Sequence, residues 1–181
     1  MKIKAVIFLY VMAISIFNGK VSNAAMILES KTWNDSNYYL ISPDTWNNVE
    51  AFANTLGGHL VTINSQKEQD FLWQTWGLSG TSVHNYGEIW IGLNDRLVEG
   101  SFQWANGEAL NFSQWALGEP NNSGNEDYAH MWHSAGGSWN DEWGGRNFVG
   151  IAEISQVSAP STLALMLSLV SLAFYRKISN K

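Results

Sequence analysis

Positions 119–141 read EPNNSGNEDYAHMWHSAGGSWND, and they gather Glu119, Asn121, Asn122, Glu126, Asp127, Asn140 and Asp141 into two short clusters around an apolar-aromatic run. These side chains offer oxygen, and a hard cation such as calcium takes about six to eight oxygen ligands from carboxylates, amides and backbone carbonyls. The clusters hold no cysteine, and the nearby imidazoles, His130 and His133, sit inside the aromatic run. A soft or tetrahedral zinc site is therefore the poorer reading, and an oxygen cage the better one.

Glu119-Pro120-Asn121, then Glu126-Asp127, then Trp139-Asn140-Asp141 resembles the sugar-binding signature of the C-type lectin domain, in its mannose-type Glu-Pro-Asn version. The resemblance implies one calcium held by Glu119, Asn121, Glu126, Asn140 and Asp141, with positions left for two vicinal sugar hydroxyls. It also implies a cis peptide before Pro120, a geometry largely confined to proline. Upstream, Trp90-Ile91-Gly92-Leu93-Asn94-Asp95, Glu99-Gly100 and Phe102-Gln103-Trp104 are similar to the family's central strand and following turn. By the same resemblance, Asp95, Glu99, Asn122, Glu126 and Asp127 would hold an auxiliary calcium, with Glu126 shared between the two ions.

The chain departs from that family in one conspicuous way: it has no cysteine. Members usually carry two disulfides, and here Ala53, Tyr128 and Ala152 fall near three of the expected positions, with the fourth around Gly144. A missing disulfide costs about 2–4 kcal/mol, so packing must substitute. The spacing from Glu126 to Asn140 is also slightly longer than in compact members.

Length allows one domain with extensions. Residues 1–24 have a basic start at Lys2 and Lys4, an apolar run and a small-residue ending, Ser22-Asn23-Ala24. That is the pattern of a secretory signal peptide, and the run is too short to span a membrane. Residues 157–181 carry Ser158-Ala159-Pro160, a short apolar run and a basic close at Arg176, Lys177 and Lys181. This layout resembles the bacterial PEP-CTERM sorting signal, although Ser-Ala-Pro stands where Pro-Glu-Pro is usual. The resemblance implies an exported bacterial protein of the envelope, surface or matrix, a partner enzyme of exosortase type, and membrane contact only through the C-terminal segment before processing. The domain proper is then 25–156, with four basic against sixteen acidic side chains. Such a field disfavours nucleic acid and anionic membranes.

Within the domain, 38–41 reads as a first strand. Ser42 and Pro43 read as the cap and first position of a helix carrying Trp46, Val49, Ala53 and Leu56 on one face, stopped by Gly57-Gly58. A strand at 59–63 follows, and Ser65-Gln66-Lys67-Glu68 is a capping box that opens a second helix with Phe71, Leu72, Thr75 and Trp76 on one side. A polar loop at 79–87, a central strand at 88–93, a turn-rich stretch at 94–125 and closing strands at 129–133 and 147–154 complete the domain. The last strand is expected to pair with the first. The whole reads as an α+β, C-type lectin-like fold: two helices flanking small antiparallel sheets, with a long calcium-binding loop region.

Trp33-Asn34-Asp35 repeats the letters of the later motif but has no companion residues, so it carries no ligand role. Most of the ten tryptophans are expected in the core, Trp139 beneath the loop, and Trp143 and Tyr128 near a sugar; His84, His130 and His133 have no partner constellation. Three functions compete. Calcium-dependent binding of mannose/glucose-type glycans is the leading one, and an adhesion or protein-binding domain with structural calcium and no sugar is the alternative. A hydrolase is the weakest, because the clustered carboxylates all have ligand assignments and leave no free acid–base pair.

Overall fold

The computed structural model describes residues 25–78 and 87–155. The N-terminal 1–24 and C-terminal 157–181 segments, and most of the 79–87 loop, lie outside the described residues. Eight strands form one sheet: β1 (Ile27–Trp33), β2 (Ser36–Asp44), β3 (His59–Leu60), β4 (Glu88–Asn94), β5 (Gln103–Trp104), β6 (Tyr128–Trp132), β7 (Trp139–Glu142) and β8 (Phe148–Ser155). The main order is β1-β2-β8-β4-β6-β7, with β3 on β8 and β5 on β4. Every pairing is antiparallel except β4 with β8. Two helices, α1 (Trp46–Thr55) and α2 (Gln66–Leu72), lie between β2 and β4 in the chain. The α+β architecture expected from the sequence is the one found.

The expected pairing of the last strand with the first holds for β8 on β2, where Leu40 faces Ile151 and Tyr39 faces Ala152. The true first strand is β1, which the sequence did not reveal because its burial pattern is mostly exposed and shows no alternation. Trp33-Asn34-Asp35 is the end of β1 and the hairpin turn into β2. Asn34 (φ 43°) and Asp35 (φ 54°) both take left-handed backbone, the requirement of a tight two-residue hairpin, which asparagine and aspartate tolerate.

The first helix begins later than expected. Ser42 is not its cap: its N–H donates to the Met26 carbonyl (2.9 Å) and its Oγ accepts from the Met26 N–H (3.0 Å), which keeps it in the sheet. Pro43 lies where the β2–β8 register shifts, so its missing N–H breaks no regular ladder bond. Thr45 caps instead, its side chain accepting from Asn48 N–H, and Trp46, Val49 and Ala53 form the buried face. Leu56 is the C-cap. Gly57 follows at φ 85°, the left-handed position that ends helices. In α2, Ser65 caps as expected, but Glu68 reaches back to Asn64 N–H (2.9 Å) and also accepts from Tyr38 Oη–H (2.8 Å). Thr75 and Trp76 belong to a π-helical turn, Trp73–Gly77, that extends α2.

Two buried clusters share the sheet. One centres on Leu40, Ile63, Trp76, Ile91, Trp104 and Trp139; the other joins Trp46, Val49, Ala53, Leu60, Trp90 and Ala152. Ala53 and Ala152, two positions of the expected disulfides, thus meet in one core. The Tyr128 ring lies against Gly144, where a Cβ would come within 2.4 Å of it. Aromatic bulk fills the place of the second bridge.

Buried Glu68 on α2 and half-buried Glu153 on β8 form a small acid group, with exposed Glu108 near both. Ser36 Oγ–H donates to Glu153 Oε1 (2.8 Å). Burial pushes Glu153 above the ordinary carboxylate range, and the charges of Glu68 and Glu108 push it further. Burial likewise raises Glu68, with Glu108 adding to it. The folded protein therefore binds these protons more tightly than the unfolded chain. The stability they contribute is complete below the ordinary carboxylate pKa and is lost as pH rises through the raised folded values. Glu153→Gln should remove part of that loss, so that unfolding free energy in chelator falls less for the variant than for the wild type from about pH 4.5 to about pH 7. Urea titrations across that range check this, and identical slopes would contradict it.

Candidate functional site

Three segments converge on the acidic clusters: the loop 119–127, strand β7, and the turn after β4. The Glu119–Pro120 bond is cis, as the resemblance implied. Asn121 and Asn122 follow, the latter at φ 47°, and their backbone N–H groups donate to Asp141 Oδ1 (3.0 Å) and Oδ2 (2.8 Å). Asp141 is 1% exposed, and those two amides satisfy both oxygens of its buried carboxyl group. Asn121 Nδ2–H donates to Glu119 Oε2 (2.5 Å). Asn122 Oδ1 accepts from Glu126 N–H (2.7 Å), and Glu126 Oε2 accepts from Ser123 N–H (2.9 Å). Glu119, Asn121, Glu126 and Asp141 are thereby joined in one compact network.

Strand β7, which no apolar pattern in the sequence reveals, sets the other side. Its four residues alternate in burial, with Trp139 and Asp141 inward and Asn140 and Glu142 half-buried. Polar residues on such a short strand leave no apolar period to detect. Trp139 lies beneath the loop as expected: it is fully buried, and its indole N–H donates to Gln69 Oε1 (2.8 Å). The extra length before Asn140 is absorbed by a short 3₁₀ turn at His133–Ala135 and by Gly136 and Gly137, both left-handed.

Asn140 is held by a chain the sequence did not show. His130, buried at 3% exposure, places Nδ1 3.0 Å from Glu88 Oε2 and Nε2 3.1 Å from Asn140 Nδ2. With Nδ1–H donating to the carboxylate, Nε2 is the acceptor for the Asn140 amide, whose nitrogen also donates to the Asp141 carbonyl. Both contacts direct the amide nitrogen inward and leave Oδ1 as the ligating atom. His130 thus has partners after all, contributed by β4 and β7.

The auxiliary set is only partly assembled. Asp95 N–H donates to the Asp127 carbonyl (3.0 Å), and Gly100 N–H donates to Asp95 Oδ2 (2.8 Å). Exposed Glu99 is raised above the ordinary range by desolvation first, then by the Asp95 and Asp127 carboxylates. Asp95, Glu99 and Asp127 are therefore neighbours. Asn122 and Glu126 bond each other, and among the described residues no hydrogen bond ties either to those three. Glu126 instead feels the charges of Asp141, Glu142 and Glu119, after burial the chief causes of its raised pKa.

The donor chemistry fits a hard cation. Glu119 is raised by burial and then by the neighbouring Asp141 carboxylate, and Asn121 bonds both acids, through its side-chain and its backbone N–H; a hard cation between them would relieve that repulsion. Asp95 Oδ1 is buried without a hydrogen-bond partner, a costly state that an ion would relieve. Yet among the described residues no group of three or more His or acidic side chains is placed to hold a metal by itself. Any ion here depends on the amides of Asn121, Asn122 and Asn140 and on carbonyls.

The model of the lectin C-type domain matches residues 42–146, more than half of the chain. The chain belongs to the C-type lectin domain family. A perlucin-like protein of Mytilus galloprovincialis is 36% identical over 109 residues, covering 59% of this chain and 68% of that protein. An alpha-N-acetylgalactosamine-specific lectin of Patiria pectinifera is 41% identical over 100 residues, 54% of this chain and 58% of the lectin. The cow CD23 carbohydrate-recognition domain, solved in the presence of a GlcNAc2Man3 oligosaccharide, superposes with a TM-score of 0.62 at 27% identity, over 77% of this chain and 98% of that one. A calcium-independent type II antifreeze protein shares the fold at 22% identity, TM-score 0.61, over 70% of this chain and 91% of that one. The C-type lectin fold is therefore shown, and its relatives include carbohydrate-binding lectins and receptors. The ion is a matter for the residues. No helix among the described residues is long and apolar enough to cross a membrane.

Calcium should raise the melting temperature of this C-type lectin domain, since a ligand present at about a thousand times its Kd adds about 4 kcal/mol to the folded state. Asp141→Ala should abolish most of that increment, and should also lower the chelated baseline by orphaning two backbone N–H groups. Differential scanning calorimetry in calcium and in chelator measures both, and equal increments for the wild type and the variant would contradict the assignment.

Proposed function

We propose that this C-type lectin domain binds mannose- or glucose-type glycans in a calcium-dependent way through Glu119, Asn121, Glu126, Asn140 and Asp141, with Asp95, Glu99, Asn122, Glu126 and Asp127 as an auxiliary calcium set. The observation that carries the reading is that Asn121 bridges two acids, its side-chain N–H on Glu119 and its backbone N–H on Asp141, so that the 119–127 loop and strand β7 bring both carboxylates to one place. A bound calcium would neutralise those charges and offer coordination positions to vicinal sugar hydroxyls. The protein's own residues do the discriminating: a hydroxyl both donates and accepts, so it needs a carboxylate and an amide side by side. Glu119 supplies the acceptor and Asn121 the donor. That order suits the equatorial 3- and 4-hydroxyls of mannose, glucose and N-acetylglucosamine, in contrast to the galactosamine specificity named for the Patiria lectin.

The protein is a binder and not a catalyst in this reading. Exported through the signal at 1–24 and sorted through 157–181 by an exosortase-type enzyme, it would act at the surface or in the matrix of a bacterial cell. The compositions of those two segments support this, and shallow single sites of this kind gain strength through multivalent display.

Exchanging donor and acceptor tests the specificity. Glu119→Gln with Asn121→Asp keeps the number of ligand oxygens, the net charge and a reversed side-chain bond between the pair. Calcium should still raise the melting temperature of the double variant, while affinity for methyl α-mannopyranoside should fall about tenfold, the equivalent of roughly 1.4 kcal/mol for a hydrogen bond to a charged group. Titration calorimetry decides, and unchanged mannoside affinity would show that these residues do not read the sugar.

A further inference from the structure

We propose that Trp143 is a stacking platform for a second sugar ring, the one linked to the ring held at Glu119, Asn121, Asn140 and Asp141. This rests on the glycan-binding reading above and adds to it how the site selects oligosaccharides over single sugars.

Nine of the ten tryptophans are buried or half-buried, whereas Trp143 is 62% exposed. Among the described residues its indole N–H has no hydrogen-bond partner and its ring no aromatic one, so the fold makes no evident use of it. It is nevertheless held in place. Trp143 N–H donates to Glu142 Oε1 (3.0 Å), its carbonyl accepts from Arg146 N–H (3.2 Å), and Arg146 Nε lies 3.3 Å from the same Glu142 oxygen. Gly145 supports the ring from below: a Cβ there would stand 2.5 Å from Cζ2 and Cη2 of the indole. One face of the ring thus rests on backbone that has no side chain, and the turn 142–146 fixes its attitude.

Trp143 stands two residues beyond Asp141, and the intervening Glu142 pairs across the sheet with Tyr128, the residue that follows Glu126 and Asp127, so the turn borders the acid cluster. A pyranose has one polar rim of hydroxyls and an apolar face of C–H groups. Carboxylates and amides take the rim of one ring; a braced indole offers what the face of the next ring needs, at low entropic cost because tryptophan has few rotatable bonds.

Titration calorimetry of the calcium-loaded protein with methyl α-mannopyranoside and with an α-linked mannobiose tests the proposal. The wild type should bind the disaccharide about tenfold more tightly, an advantage of the size expected for one aromatic contact. Trp143→Ala should bring the two affinities within about twofold without altering the monosaccharide affinity or the calcium-induced melting shift. Gly145→Ala, which keeps the tryptophan but displaces its ring, should reduce the disaccharide preference as well. A preference that persists in Trp143→Ala, or a wild type that binds both sugars equally, would overturn the platform while leaving the calcium site standing. No binding of either sugar by the wild type would overturn the glycan reading, and the platform with it.

Discussion

The buried indole of Trp139 is the contact on which the site depends. Its N–H is anchored to Gln69 on α2, and its ring meets Trp104, Phe112 and Trp115 edge-on at 5.6, 5.8 and 5.9 Å. Its backbone N–H donates to the Gln114 carbonyl (2.6 Å), and its own carbonyl accepts from Ala116 N–H (2.8 Å). One residue thereby ties a helix, a strand and the turn-rich stretch that leads to Glu119. Truncating a buried tryptophan costs about 3–5 kcal/mol, but the geometric consequence is larger than the energetic one. Strand alternation from this fixed point puts Asp141 under the amides of residues 121 and 122 and turns Asn140 toward His130.

Holding so many acids together opposes folding, and the packing must offset it. The absence of cysteine removes the usual covalent help, and the replacements are specific. Ala53 and Ala152 are both buried in one core with Trp46 and Trp90, which fills the first gap. Tyr128 closes the other, lying on Gly144 and 4.7 Å from the ring centre of Trp46. Gly150 lets α1 approach β8, since a Cβ there would stand 2.5 Å from Val49. The aromatic content is thus the physical counterpart of the missing disulfides, and Trp143, outside every cluster, stands apart from that role.

Much of this was legible in the sequence because the informative residues are local. Glu-Pro-Asn, Glu-Asp and Trp-Asn-Asp announce their chemistry by type and spacing, and the Ser65 cap and Gly57 stop are short-range devices. What escaped was set by long-range partners. Ser42 looks like a helix cap until Met26 pairs with it; β1 carries no apolar alternation because it is an exposed edge; β7 is polar because its residues serve the site. His130 has no neighbour in sequence that predicts Glu88, 42 positions earlier, as the group that orients it. The sharing of Glu126 between two ions, implied by the resemblance, depends on side-chain directions that spacing does not encode, and here its carboxylate keeps company with Asp141, Glu142 and Glu119.

In the proposed function, oxygen ligands at the 119–141 loop couple a cation to sugar recognition. A glycan-array screen of the purified protein, run in calcium and again in excess chelator, addresses it most directly. The protein should be retained on mannose- and glucose-type glycans in calcium and on none in chelator. Binding of the same glycans in both conditions, or of no glycan in either, would contradict it.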